Sequence, residues 1–238
     1  MRQNPDYQRD VNQRQNALSD PQTMISGQKI WFDQQRTVAA SCWGLTRFVD
    51  PALLASEAPI DWIEELGVAK IDAVVRKPSK GERSDVHLAE LQCVRHIVVS
   101  PDGGETVLIN TSEKALTLRL CGTTALRDPV CLTFQIAGMG ALPGTGRSLQ
   151  SLPDLLAGGP RKFNRSRRQL LLRDALVALD GRQAGATYRD VAVVIAGVER
   201  ARTAWRSSDH SLKDRLRRAL KSGERLRNGR YPILIGQK

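Results

Sequence analysis

Apolar residues recur along this chain with two different periods, and the change of period divides it. In the middle of the chain the period is two. Ala115–Cys121 (Ala-Leu-Thr-Leu-Arg-Leu-Cys) and Val130–Ala137 (Val-Cys-Leu-Thr-Phe-Gln-Ile-Ala) alternate apolar with polar positions, as a half-buried strand must. Ile71–Arg76 and Leu91–Ser100 are further strand-like runs. The second meets Pro101-Asp102-Gly103-Gly104, a strong hairpin turn, and Thr106–Asn110 continues after it. Together these runs predict a small antiparallel sheet.

Toward the C-terminus the period becomes helical. Within Asn164–Ala184, Leu171, Leu172, Ala175, Leu176 and Leu179 recur at spacings of three and four, with Gly185 as the stop. Thr187 is placed to cap a second helix, Tyr188–Ala196, which Gly197 ends. Glu199–Trp205 reads as a turn or short helix anchored by Trp205. Ser207, Ser208, Asp209 and Ser211 are candidate caps for a last helix, Leu212–Ser222, with Gly223 expected to close it. Its Leu212, Leu216, Ala219 and Leu220 share one face, and Asp214, Arg217, Arg218 and Lys221 fall roughly opposite.

The remaining segments are less periodic. Met1 to about Gln35 is polar and reads as a helical or partly ordered arm. Ser41–Trp62 holds Trp43, Phe48 and Trp62 among turn signals, and reads as an irregular segment wrapping its aromatics onto the sheet. Gly138–Gly146 lacks the Lys-Ser/Thr of a phosphate-binding loop and reads as a linker or turn. Ser148–Leu156 fits a short helix, and Gly158-Gly159-Pro160 marks a boundary. The expected organisation is an arm and aromatic segment (1–65), an antiparallel β-region (66–158) and a helix-turn-helix-variant domain (159–238). The fold class is α+β.

Charge sharpens this picture. The formal net charge is +11 over 238 residues, which points to a polyanionic partner. From Arg161 onward lie 20 of the 36 Lys+Arg and 7 of the 25 Asp+Glu, leaving 16 and 18 before it. The excess is therefore confined to the helical third, as an electrostatic footprint would be. Cys42, Cys93, Cys121 and Cys131 form no CxxC pair and are expected to be reduced and mostly buried. Scattered His87, His96 and His210 suggest no metal site, and no carboxylate cluster or nucleophile stands out, so neither an enzyme nor a cofactor is expected. No run of eighteen apolar residues and no apolar leader core is seen, so a cytoplasmic protein without membrane contact is expected.

A short helix, a glycine turn and a cationic amphipathic helix form a unit that enters the major groove of double-stranded DNA. Arg reads guanine there, and flanking cations reach phosphates. The candidate DNA-binding residues are Arg189, Arg206, Ser207, Ser211, Lys213, Arg215, Arg217, Arg218, Lys221, Arg225 and Arg230. The connection from Gly197 to Ser211 is longer than the usual three or four residues, which marks a variant. Few aromatics are available to stack bases, so RNA is the weaker alternative.

The run from Leu172 to Ala192 (LRDALVALDGRQAGATYRDVA), then Trp205-Arg206, Ser211–Ala219 (SLKDRLRRA) and Gly229-Arg230-Tyr231, resembles the FseA/QseM-type regulators of integrative and conjugative elements. Asn4–Asp10 (NPDYQRD), Trp43-Gly44-Leu45, Asp50-Pro51 and Glu57-Ala58-Pro59 are similar to the leading module of the longer, FseA-like members. The second helix departs from the family's Leu-Phe-Gly ending, with Val194-Ile195-Ala196-Gly197 in its place. The resemblance implies a helix-turn-helix variant preceded by a short β-region. It also implies a transcription activator of element excision and transfer, bound to promoter DNA, with RNA polymerase and a QseM-like antiactivator as possible protein partners. The alternative it carries is an antiactivator module that sequesters another regulator. The long N-terminal part and the basic helix face favour the activator.

Overall fold

A computed structural model describes residues 2–13, 18, 20–33, 38–54, 57–66, 69–91, 94–110, 115–156, 166–207 and 210–235. The chain divides into two compact units, one essentially Asn4–Arg161 and the other Lys162–Leu234. The expected boundary at 158–160, Cys93, and the candidate caps Ser208 and Asp209 lie outside the described residues. Among the described residues no helix is long and apolar enough to cross a membrane.

The first unit opens with helix α1 (Pro5–Gln13) and carries one sheet. Its strands are β1 (Gln22–Thr23), β2 (Lys29–Phe32), β3 (Ala69–Arg76), β4 (Val94–Val99), β5 (Glu105–Asn110), β6 (Ala115–Gly122) and β7 (Cys131–Gln135). Their order across the sheet is β1-β2-β4-β5-β6-β3-β7. The β4–β5–β6 meander is antiparallel, as the hairpin turn dictates, and β7 pairs antiparallel with β3. The sheet is nevertheless mixed, not purely antiparallel: β2 runs parallel to β4, and β3 parallel to β6. Local turn chemistry announces hairpins only. A parallel pair needs a long crossover, and its partners lie too far apart in sequence for any turn to signal them.

Alternation places Ile71, Ala73 and Val75 of β3 in the core with Leu116, Leu118 and Leu120 of β6 and Val107 and Ile109 of β5. Helix α2 (Leu142–Leu156) covers this cluster with Leu149, Leu152 and Leu156. The helix begins earlier than expected. Leu142–Gly146, read as part of a linker, is its first turn, and Pro143 suits that position because its missing N–H would have no partner there.

The polar arm, expected to be helical or partly ordered, supplies α1 and, beyond that expectation, two strands. Trp43 and Phe48 gather around Tyr7 of α1, with ring centroids 5.3 and 6.0 Å away. The Tyr7 hydroxyl donates to the Val49 carbonyl at 2.8 Å, and burial pushes its pKa up to about 12. Of the described cysteines only Cys131 is buried; Cys42 and Cys121 are exposed. The expectation of mostly buried thiols therefore fails for these two: Cys121 falls on the polar side of the alternation in β6, next to buried Leu120.

The second unit holds α3 (Arg167–Gln183), α4 (Tyr188–Ala196), α5 (Val198–Arg206), α6 (Ser211–Arg225) and the start of α7 (Pro232–Ile235). Ser166 caps α3 through a reciprocal capping box with Gln169. Ala178, Val191, Ala192, Ala201, Leu216 and Ala219 form its core.

Candidate nucleic-acid interface

The α4–α5 corner is tighter than the sequence suggests. Thr187 caps α4 as expected: its hydroxyl accepts from the Asp190 N–H at 3.2 Å, and the Asp190 carboxylate accepts from the Thr187 N–H at 2.8 Å. The Thr187 hydroxyl also donates to that carboxylate at 2.7 Å and is the largest cause, ahead of the Thr187 N–H, of the Asp190 carboxyl lying below its ordinary pKa. Gly197 then stands between the two helices with φ +88°, a conformation that a side chain would resist. The long connection is thus mostly α5, nine residues of helix packed through Ala201. Its weak sequence signal reflects a small apolar face: Ala201 is fully buried, but Ala204 and Trp205 only partly.

Helix α6 lies along α3. Leu216, Ala219 and Gly223 are buried, with Leu212 and Leu220 partly covered. Gly223 does not close this helix. It lies inside, where a Cβ would come within 2.7 Å of the Ala175 carbonyl oxygen of α3. The helical course continues to Arg225, and the chain leaves the helical conformation only at Asn228 and Gly229. Glycine there serves close helix packing, a use that its usual role as a helix terminator hides.

The predicted contact residues fall into three groups. Arg217, Arg218 and Lys221 are exposed on the outer face of α6, as helical spacing requires. Arg217 pairs with Asp214 at 3.1 Å, and Arg218 donates to the Asp214 carbonyl at 3.3 Å. Lys221 makes no ion pair or hydrogen bond among the described residues. Arg206, Ser207 and Ser211 are exposed where α5 ends and α6 begins, Arg225 and Arg230 near the end of α6, and Arg189 at the start of α4.

Two of the predicted cations are engaged in holding the helices together. Arg215 reaches across to Asp174 of α3, with Nε and Nη2 donating to Oδ2 at 3.0 and 2.5 Å. Asp174 is 1% exposed and also accepts from Arg173 at 2.8 Å. A buried carboxylate needs such partners, and two bidentate guanidiniums supply them. Lys213 sits over the Trp205 ring, 5.5 Å from its centroid, and so pins α5 to α6.

Two exposed cations outside the predicted set stand on different flanks of α5. Arg200 and Arg202 are exposed on α5, and Arg202 pairs with Glu199 at 3.7 Å. Helical spacing around Ala201 and Trp205 would have exposed them once Val198–Arg206 was read as a full helix. Arg200 and Arg218 face a cleft of about 980 Å³ between α3, α5 and α6, floored by Leu170, Leu212 and Ala219.

The helices thus present cations on α5, on the outer face of α6 and beyond its C-terminus, over a core that fixes their spacing. Such an array neutralises phosphates and sets the register of a duplex. None of the curated proteins matches the chain. Residues 142–235, from α2 to α7, match the family model RovC_DNA-bd, described as "T6SS, Transcription factor, DNA binding domain", and this match supports a DNA-binding transcription regulator.

Proposed function

We propose that the chain is a transcription activator that binds double-stranded promoter DNA through α5 and α6 and controls excision and transfer of an integrative and conjugative element. The observation that carries the DNA-binding part is the row of exposed cations, Arg217, Arg218 and Lys221, on a helix whose opposite face is locked to α3. The element-specific part rests on the resemblance of 172–192, 205–206, 211–219 and 229–231 to FseA/QseM-type regulators. The matched family's description names a T6SS context, so the two readings differ in target genes and agree on a DNA-binding transcription regulator. In this reading the protein has no enzymatic role, and it acts in the cytoplasm by recruiting RNA polymerase.

The test is fluorescence anisotropy on element promoter fragments, with excision and transfer-gene transcripts measured in cells. Arg217→Ala with Lys221→Ala is expected to weaken promoter binding at least tenfold and to abolish excision. Unchanged binding by the double variant would remove α6 from the interface. Promoter binding with no change in excision would move the regulated genes elsewhere. The antiactivator alternative predicts no DNA binding and a stable complex with another regulator.

A further inference from the structure

Strand β7 is the last in its sheet, paired with β3 on one side only. Natural sheet edges are usually protected by charge, because their unpaired N–H and C=O groups invite another strand. This strand carries no such charge itself, and the Asp85 carboxylate beside its edge is bonded to the Leu132 N–H. From Pro129 to Gly146 the sequence contains no charged residue, and Phe134, Ile136 and Met139 are exposed.

The backbone groups along the edge can be assigned individually. Val130 turns its N–H and C=O away from β3, exchanging both with Val86. The Leu132 N–H also points outward and donates to the Asp85 carboxylate at 2.8 Å. Alternation then directs the groups of Phe134 and Ile136 outward as well. The Ile136 carbonyl accepts from the Gly138 N–H at 2.9 Å. Four outward groups have no hydrogen bond among the described residues: the Leu132 C=O, both groups of Phe134, and the Ile136 N–H.

These four are the complement of themselves. When two antiparallel copies of β7 meet about a twofold axis at Phe134, each Phe134 N–H donates to the other's C=O, and each Ile136 N–H donates to the other's Leu132 C=O. The groups already spent, the Leu132 N–H and the Ile136 C=O, would have been each other's partners in that register. In this register Phe134 faces its own copy, Leu132 faces Ile136 and Thr133 faces Gln135, so no two like charges of the strand are set opposite each other. Leu132 packs against the core cluster, and Phe134, opposite Ala73, continues that face outward, so the contact would extend an apolar layer.

We propose that β7 is a homodimerisation edge, pairing with β7 of a second copy of this chain in antiparallel register centred on Phe134. The proposal is independent of DNA binding. Size-exclusion chromatography with light scattering on the full chain should give the mass of two chains at micromolar concentration. Phe134→Lys and Phe134→Glu should each give the mass of one chain with unchanged circular dichroism, and mixing them should restore the two-chain mass. Ile136→Pro removes only an outward N–H and should also dissociate the pair, which decides the matter if the Phe134 variants fail to fold. A one-chain mass for the unmodified protein, or a two-chain mass retained by folded variants, would overturn the proposal.

Discussion

Gly223 sets how closely α3 and α6 approach. A methyl group there would meet the Ala175 carbonyl oxygen at 2.7 Å and the Leu179 Cβ at 3.1 Å. Alanine favours a helix over glycine by about 1 kcal/mol, but overpacking a tight contact costs about 1–3 kcal/mol. The obstacle is backbone, which cannot rotate aside, so the packing penalty wins. Gly223→Ala should lower stability by up to about 2 kcal/mol in denaturant unfolding. Gly181 gives the contrast: its added Cβ would meet the Val191 Cγ2 at 2.9 Å, and a side chain can yield. Gly181→Ala should therefore cost less, and equal costs for the two variants would refute the backbone argument. Arg215 belongs to the same packing. With its guanidinium on Asp174, it holds α6 in place, whereas Arg217 and Lys221 face outward.

At the scale of elements, α4 depends on its cap. Thr187→Ala removes the hydroxyl that accepts from the Asp190 N–H and should cost about 1 kcal/mol of stability. The Asp190 carboxyl is held below its ordinary value of about 3.9, mainly by Thr187. A depressed carboxylate stabilises the fold above the unfolded value, and that contribution is lost as pH falls through the folded one. Thermal melts should therefore show a difference between Asp190→Asn and the unmodified chain that is full near neutrality and shrinks below about pH 4. A difference independent of pH would show that the charge of Asp190 plays no part. This cap was legible in the sequence because capping acts over three residues. So were α3, α4, α6 and β3 to β7, whose periodicity or turns are local. The placement of β3 between β6 and β7 was not, since no local signal specifies a parallel partner. The segment Glu199–Trp205 was legible only as a turn or short helix, because the buried face of α5 is little more than Ala201, and the engagement of Arg215 was not legible, because Asp174 lies on α3, two intervening helices earlier in the chain.

The molecule as a whole separates its charge. The chain from Arg161 onward carries 20 Lys+Arg against 7 Asp+Glu, while the part before it is slightly acidic, with 16 against 18. If affinity came from net charge alone, any cation removed would matter equally. If it comes from phosphates at the α5–α6 surface, only the cations there release counterions. Each phosphate-contacting cation contributes about 1 to the slope of log affinity against log salt. Replacing Arg217, Arg218 and Lys221 by alanine should therefore flatten the slope by about 3. Replacing Lys77, Lys80 and Arg83, three exposed cations beside β3, lowers the net charge by the same amount and should leave the slope unchanged. Anisotropy titrations of both triple variants across a salt series separate the two cases. Equal flattening would assign binding to overall charge, and a change confined to the α6 variant would assign it to that helix face.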